Sequence, residues 1–161
     1  MNGEPAPRGR LALRLVLLGL FALGFAQIEA TVVRYIRALL GWIPVPSDIG
    51  PEAIVQVPAW LIRSEQYREA ATIVVLVVVA LMVGRRWQEK LGAFLYAFGL
   101  WDIFYYVWLR VLIGWPESLS TVDCLFLIPS PWLAPVWLPL VISLCLLVVS
   151  LPLLGVGRRA R

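Results

Sequence analysis

Ionisable side chains interrupt the apolar stretches of this 161-residue chain, and they are the residues whose types could do chemistry. Asp102 lies inside the aromatic-rich apolar run from Leu91 to Ile113. Arg68 and Glu69 directly precede a run of Val, Leu, Ile and Ala. A charge surrounded by hydrocarbon is costly unless it is paired, protonated or hydrated. These residues are therefore candidates for a buried polar site.

The rise of an α-helix predicts that these residues lie in one layer of a membrane. At 1.5 Å per residue, Asp102 lies about 18 Å along its helix from Lys90, which is in the predicted cytoplasmic turn. Glu69 lies about 24 Å along its own helix from Arg85, in the same turn. Glu29 reaches a similar height in the first apolar run. The predicted network in the outer half of the membrane consists of Glu29, Arg34, Arg37, Arg68, Glu69, Asp102, Tyr105, Tyr106 and Arg110.

Two interpretations of this network stay open. It is either a set of ion pairs that fixes the register of the helices, or the lining of an outward-facing cavity for a polar ligand, an ion or a lipid headgroup. Tyr105 and Tyr106 are interpreted as packing and hydrogen-bonding residues rather than catalysts. Gly99 lies on the same helical side as Asp102 and should let another helix approach closely.

The sequence offers no familiar catalytic machinery. Histidine is absent, which removes the usual haem ligand, the commonest zinc ligand and the easiest proton shuttle. Ser143 and Ser150 have no positioned base, and no nucleotide-binding loop is present. Cys124 and Cys145 form no CxxC pair and are interpreted as packing residues. We therefore expect no metal, no cofactor and no catalytic residue, and favour a protein that is not an enzyme.

Composition sets the class of fold. Apolar residues make up 61% of the chain and charged residues only 15%, far from the balance of a soluble domain. The sequence predicts a single all-α membrane domain over residues 1–161, a bundle of four transmembrane helices. The helices are predicted at about 11–40, 65–84, 91–113 and 134–156, with external loops at about 41–64 and 114–133.

The basic residues predict the orientation. Nine of the fourteen Lys and Arg residues fall in the N-terminus, the Arg85–Lys90 turn and the C-terminus. Since basic loops stay on the cytoplasmic side, both termini are expected there, in an inner membrane. The net charge of +4 thus reflects membrane edges and not a nucleic-acid partner. A signal peptide cleaved after Gly24-Phe25-Ala26 is the alternative interpretation of the first run.

The C-terminal half carries a recognisable pattern of residues. The segment from Phe98 to Trp108, with its Trp-Asp-Ile-Phe-Tyr-Tyr core, is followed by Gly114-Trp115-Pro116 and by the Leu125–Trp132 segment. In these it resembles small bacterial four-helix membrane proteins to which no activity is assigned. The resemblance therefore implies a fold and no chemistry. Vitamin K epoxide reductase-like proteins need a CxxC pair that this chain lacks, and no convincing DoxX-like motif is present.

These observations favour a non-catalytic inner-membrane protein, either an accessory subunit of a larger assembly or a binder of a small ligand or lipid. A small ion or solute transporter or channel is the first alternative. The second is an intramembrane lipid-modifying enzyme with Asp102 or Glu69 as general acid or base. The expected partners are the lipid bilayer and, beyond it, other membrane subunits or further copies of the chain.

Overall fold

The chain is mostly helical in a computed structural model that describes residues 7–43 and 48–155. Among these residues, three helices are long and apolar enough to cross a membrane, and α5 is a shorter apolar helix of 17 residues. The elements in chain order are α1 (Pro7–Leu39), α2 (Pro51–Val55), α3 (Ala59–Val83), α4 (Trp87–Ile113), β1 (Val122–Phe126), β2 (Trp132–Pro135) and α5 (Trp137–Leu153).

Helix α4 is the centre of the bundle, because it packs against α1, α3 and α5. Alanine residues at the contacts allow the helices to pack closely. Ala93 and Ala97 of α4 are fully buried, and α1 presents a buried stripe of Ala22, Ala26 and Ala30. Small side chains let helix backbones approach in a membrane, where apolar burial gives little driving force between helices.

Two glycines fix the contact between α4 and α5. A Cβ atom at Gly99 would lie 2.8 Å from the carbonyl oxygen of Ser143, and one at Gly92 would lie 2.9 Å from Cβ of Leu153. These glycines are two helical turns apart on one face of α4. The close approach expected at Gly99 is therefore confirmed, and the helix that approaches is α5.

Three helices begin earlier than the sequence predicts, and α1 begins at Pro7 rather than near residue 11. Helix α3 begins at Ala59 rather than near residue 65, directly after Pro58, which suits a helix start. Residues 59–64 are thus helical and not part of the external loop that was expected at about 41–64. Helix α4 begins at Trp87 rather than residue 91, so the chain reverses within Gly84–Arg86 alone.

The segment expected to be an external loop contains a β-hairpin, so the chain is not entirely helical. Strands β1 and β2 pair antiparallel, with Val122 opposite Pro135 and Asp123 opposite Ala134. Pro129 and Pro131 in the connection disfavour a helix. Because β2 occupies residues 132–135, α5 begins at Trp137 instead of residue 134. Helix α5 ends at Leu153 rather than near residue 156. The basic residues Arg158, Arg159 and Arg161 lie outside the described residues.

Replacement of Gly99 by alanine tests the α4–α5 contact. We expect Gly99→Ala to lower the free energy of unfolding in detergent by about 1–3 kcal/mol, because the new methyl group overlaps a backbone oxygen of α5. Gly24→Ala is the matched control, since a Cβ there meets nothing within 4 Å. Helix propensity alone favours alanine at both sites. Equal stability of the two variants would contradict the close contact.

Candidate functional site

A cavity of about 350 Å³ lies at the end of the bundle that carries the β-hairpin, between the helices and the hairpin. Its walls are mostly apolar, with contributions from Val33, Leu61 and Ile142. Lining residues recur three or four positions apart on each helix, so each helix presents one face to the cavity. The polar lining residues are Glu29, Arg37, Glu65, Arg68, Glu69, Thr72, Asp102, Tyr105, Tyr106, Asp123 and Ser143.

Arg68 connects α3 to α1 at the wall of the cavity. Its guanidinium forms an ion pair with Glu29 and donates to Glu65 Oε2, at 2.8 Å from Nη2 and 3.0 Å from Nε. Glu29 is 5% exposed and also accepts a hydrogen bond from the Thr72 hydroxyl at 3.0 Å. The carboxylate of Glu29 is therefore compensated by a cation and by a neutral donor.

A second ion pair joins α1 to the β-hairpin. Arg37 Nη2 lies 3.6 Å from Asp123 Oδ1, and the Tyr106 hydroxyl donates to Asp123 Oδ2 at 3.1 Å. The guanidinium of Arg37 also lies over the Trp115 ring, 3.9 Å from its centroid, in a cation–π arrangement. Burial raises the pKa of Asp123 from 3.8 to about 6, and the charge of Arg37 opposes this rise in part.

Asp102 joins α4 to α5 through a neutral partner. The Ser143 hydroxyl donates to Asp102 Oδ2 at 2.7 Å. Asp102 is partly accessible and lines the cavity, so its carboxylate faces protein and the cavity interior. Tyr105 also lines the cavity and lies within electrostatic range of Arg37, Arg68 and Asp123.

Two side chains of α3 hold the connection of the β-hairpin. The Leu127 amide donates to both oxygens of Glu69, at 2.9 and 3.0 Å, and Gln66 Nε2 donates to the Leu127 carbonyl at 3.1 Å. Gln66 and Glu69 are three residues apart and so lie on one face of the helix. Both backbone groups of Leu127 are thereby satisfied, and the hairpin is fixed over the cavity.

The cavity brings together seven of the nine residues of the predicted network, and Arg34 and Arg110 lie outside it. Arg34 is five positions after Glu29, which corresponds to a rotation of about 140° around α1. It therefore lies away from the helix face that lines the cavity, and its side chain is exposed. Arg110 is exposed and donates to the carbonyl oxygens of Gly114 and Pro116, the latter at 2.9 Å. It thus caps the C-terminal end of α4.

Several residues of the site did not enter the predicted network: Glu65, Thr72, Asp123 and Ser143. Thr72 is the lone hydroxyl residue between Ala70 and Gly84. A single polar residue in an apolar run could have been predicted to face the polar network. Asp123 looked like an ordinary loop acid, yet it is only 4% exposed. Its burial depends on β1 folding back between the helices, which local sequence does not reveal.

No metal centre is formed by the part of the chain that the structure describes, where no group of His, Cys, Asp and Glu residues could hold an ion. Cys124 and Cys145 are both free thiols. Burial raises the pKa of the Cys124 thiol to about 11, which disfavours the reactive thiolate. Comparison with known proteins found no matching family, no similar curated protein and no similar solved structure.

The raised pKa of Asp123 predicts a pH dependence of stability. A carboxyl group whose pKa rises from 3.8 to about 6 on folding stabilises the folded state fully below pH 3.8, and loses that contribution as the pH rises through about 6. Between pH 4 and pH 7 this group should lower the free energy of unfolding by about 3 kcal/mol at most. Asp123→Asn should therefore flatten the pH profile of thermal unfolding in detergent.

Most other acids titrate in both proteins, so their contributions cancel when the two slopes are compared. Asp102 lies within electrostatic range of Asp123, so the change in slope reports Asp123 together with its effect on Asp102. Parallel pH profiles for the two proteins would contradict a perturbed Asp123.

Proposed function

We propose that this protein is a non-catalytic inner-membrane protein that binds a lipid-like small molecule in the cavity beneath its β-hairpin. The observation that supports this is an internal space of about 350 Å³ with mostly apolar walls and a few convergent polar groups. Ligand sites of membrane and soluble proteins share this character, since apolar walls give affinity and sparse polar groups give orientation. An accessory subunit of a larger assembly could hold such a molecule in the same way.

The proposed topology has four spans with both termini in the cytoplasm. Arg14 Nη1 lies 3.2 Å from Glu89 Oε2, which puts the beginnings of α1 and α4 at one end of the bundle. Gly92, also near the beginning of α4, contacts Leu153 and Leu154 at the end of α5. Helix α5 spans only about 25 Å at the standard rise. We propose that α5 nevertheless crosses the membrane, with the hairpin that precedes it at the membrane boundary.

Reporter insertions test this topology. A fluorescent protein that matures only in the cytoplasm should be bright when fused after Arg161, and dark when inserted at Ser120. Ser120 is exposed beside the hairpin, so the insertion leaves the core intact. A periplasm-active phosphatase at the same two sites should give the opposite pattern. A bright fusion at Ser120 or a dark fusion after Arg161 would contradict the proposed orientation.

Binding is favoured over transport by the packing of the cytoplasmic half. Leu18, Leu76 and Ala80 are buried there with Ala93, in one continuous apolar cluster. A channel or transporter needs a polar path or an alternating opening through that region. The cavity polar groups lie on the outer side of this cluster, which suits a site that is entered from one side.

Filling the cavity tests the proposed function. Wild-type protein in a nonionic detergent should be stabilised against thermal unfolding by 1-decanol, because a ligand that binds only the folded state raises its stability. Val57→Trp places an indole in the cavity wall and should abolish this stabilisation. Val55→Trp is the matched control, as Val55 is 85% exposed.

The control separates occupation of the cavity from general effects of an alcohol on detergent micelles. Val55→Trp should respond to 1-decanol as the wild type does. An absence of stabilisation in the wild type, or an equal response in Val57→Trp, would count against ligand binding in this cavity.

A further inference from the structure

Acidic side chains outnumber basic ones around the cavity. The lining contains the acids Glu29, Glu65, Glu69, Asp102 and Asp123, and the bases Arg37 and Arg68. Buried carboxylates in a low-dielectric site require compensating charge, hydrogen bonds or protonation. The acids of the cavity that have no arginine partner therefore indicate the charge of the ligand that the cavity would bind.

The ion pairs account for most of these acids. Arg68 is shared by Glu29 and Glu65, and Arg37 is paired with Asp123. Glu69 accepts two contacts from the Leu127 amide. Glu69 also lies within electrostatic range of Arg68. Asp102 has the neutral hydroxyl of Ser143 as its hydrogen-bond partner in the described part of the chain and no arginine paired with it there.

Aromatic rings surround the turn of α4 that bears Asp102. The Trp101 ring lies 5.5 Å from Phe98 and 6.2 Å from Tyr105, centroid to centroid, and all three residues line the cavity. Aromatic faces beside a carboxylate are the usual recognition elements for an ammonium group. Trp101 is 7% exposed, and its indole N–H has no hydrogen-bond partner among the described residues. The N–H is covered by neighbouring atoms, so a ligand oxygen would satisfy it once the Trp101 side chain turns towards the cavity.

An apolar chain attached to this polar group has a route into the bilayer. Helices α3 and α5 each pack against α4, and side chains of both line the cavity. Ile142 of α5 lines the cavity and is 45% exposed. An alkyl chain would leave the cavity past this apolar side chain.

We infer that the cavity binds an amphiphile with a protonated amine beside an oxygen acceptor, and that the ammonium lies against Asp102. This inference rests on the proposed function and adds the chemical class of the ligand. The amine supplies the cation that Asp102 lacks, the oxygen accepts from Trp101, and the alkyl chain occupies the apolar walls.

Three chain-matched probes test the inference on the wild-type protein in nonionic detergent at pH 7: 2-aminodecan-1-ol, 1-decanol and decanoate. Apparent affinities come from the dependence of thermal stability on probe concentration. We expect the amino alcohol to bind at least tenfold more tightly than 1-decanol, since a charge-assisted hydrogen bond contributes more than a neutral one. Decanoate should bind most weakly, because its charge repels the acids.

Asp102→Asn assigns the preference to one side chain. It should reduce the advantage of the amino alcohol over 1-decanol to less than threefold, because an asparagine carries no charge to pair with the ammonium. Glu117→Gln makes the same chemical change at an exposed site outside the cavity and should keep the full preference. Retention of the tenfold preference in Asp102→Asn would overturn the assignment.

The outcomes distinguish this inference from the proposed function. If 1-decanol binds and the amino alcohol binds no more tightly, the inference falls and the proposed function stands. If decanoate binds more tightly than the amino alcohol, the inference also falls and the proposed function stands. If no probe stabilises the protein, both fall together. The wild-type comparison decides between these outcomes even if Asp102→Asn does not fold.

Discussion

The end of this bundle that carries the β-hairpin depends on the neutralisation of buried charge. A buried guanidinium or carboxylate is tolerated only with a partner, and two of the ion pairs here join different elements. Arg68 joins α3 to α1 through Glu29, and Arg37 joins α1 to β1 through Asp123. Removal of one member of such a pair leaves the other charge buried, which costs more than the pair contributes. The relative positions of α1, α3 and the hairpin follow from this requirement.

The two halves of the bundle are held by different interactions. At the end where α4 begins, alanine and glycine allow backbones to meet, and α4 contacts its neighbours through Ala93, Ala97 and Gly92. At the end that carries the β-hairpin, larger polar and aromatic residues line a cavity between the helices. Helix α4 changes its character along its length, from small residues at its beginning to the aromatic residues around Asp102. The cavity is thus a consequence of residue size as much as of charge.

Local physics predicted the helices and much of the site, and contacts distant in sequence account for the rest. The rise per residue placed Glu29, Arg68 and Asp102 at related depths, because each lies in a long apolar run with a basic end. The hairpin was not predictable in this way. Its position depends on Glu69 and Gln66 holding Leu127, across about sixty residues of chain. Arg110 was misplaced because a residue near a helix end can turn back to cap it, which depth along the helix does not reveal.

The acid excess of the cavity requires a reason beyond the register of the helices. Replacement of a buried ion pair by apolar residues often leaves stability unchanged or raises it, so register alone is a weak reason to keep buried charge. The α4–α5 contact is already fixed by Gly92 and Gly99, which leave no room for a side chain. Asp102 therefore adds little to helix packing that the glycines do not provide, while its carboxylate must still be desolvated. A ligand that carries the opposite charge supplies the compensation that the surrounding residues do not.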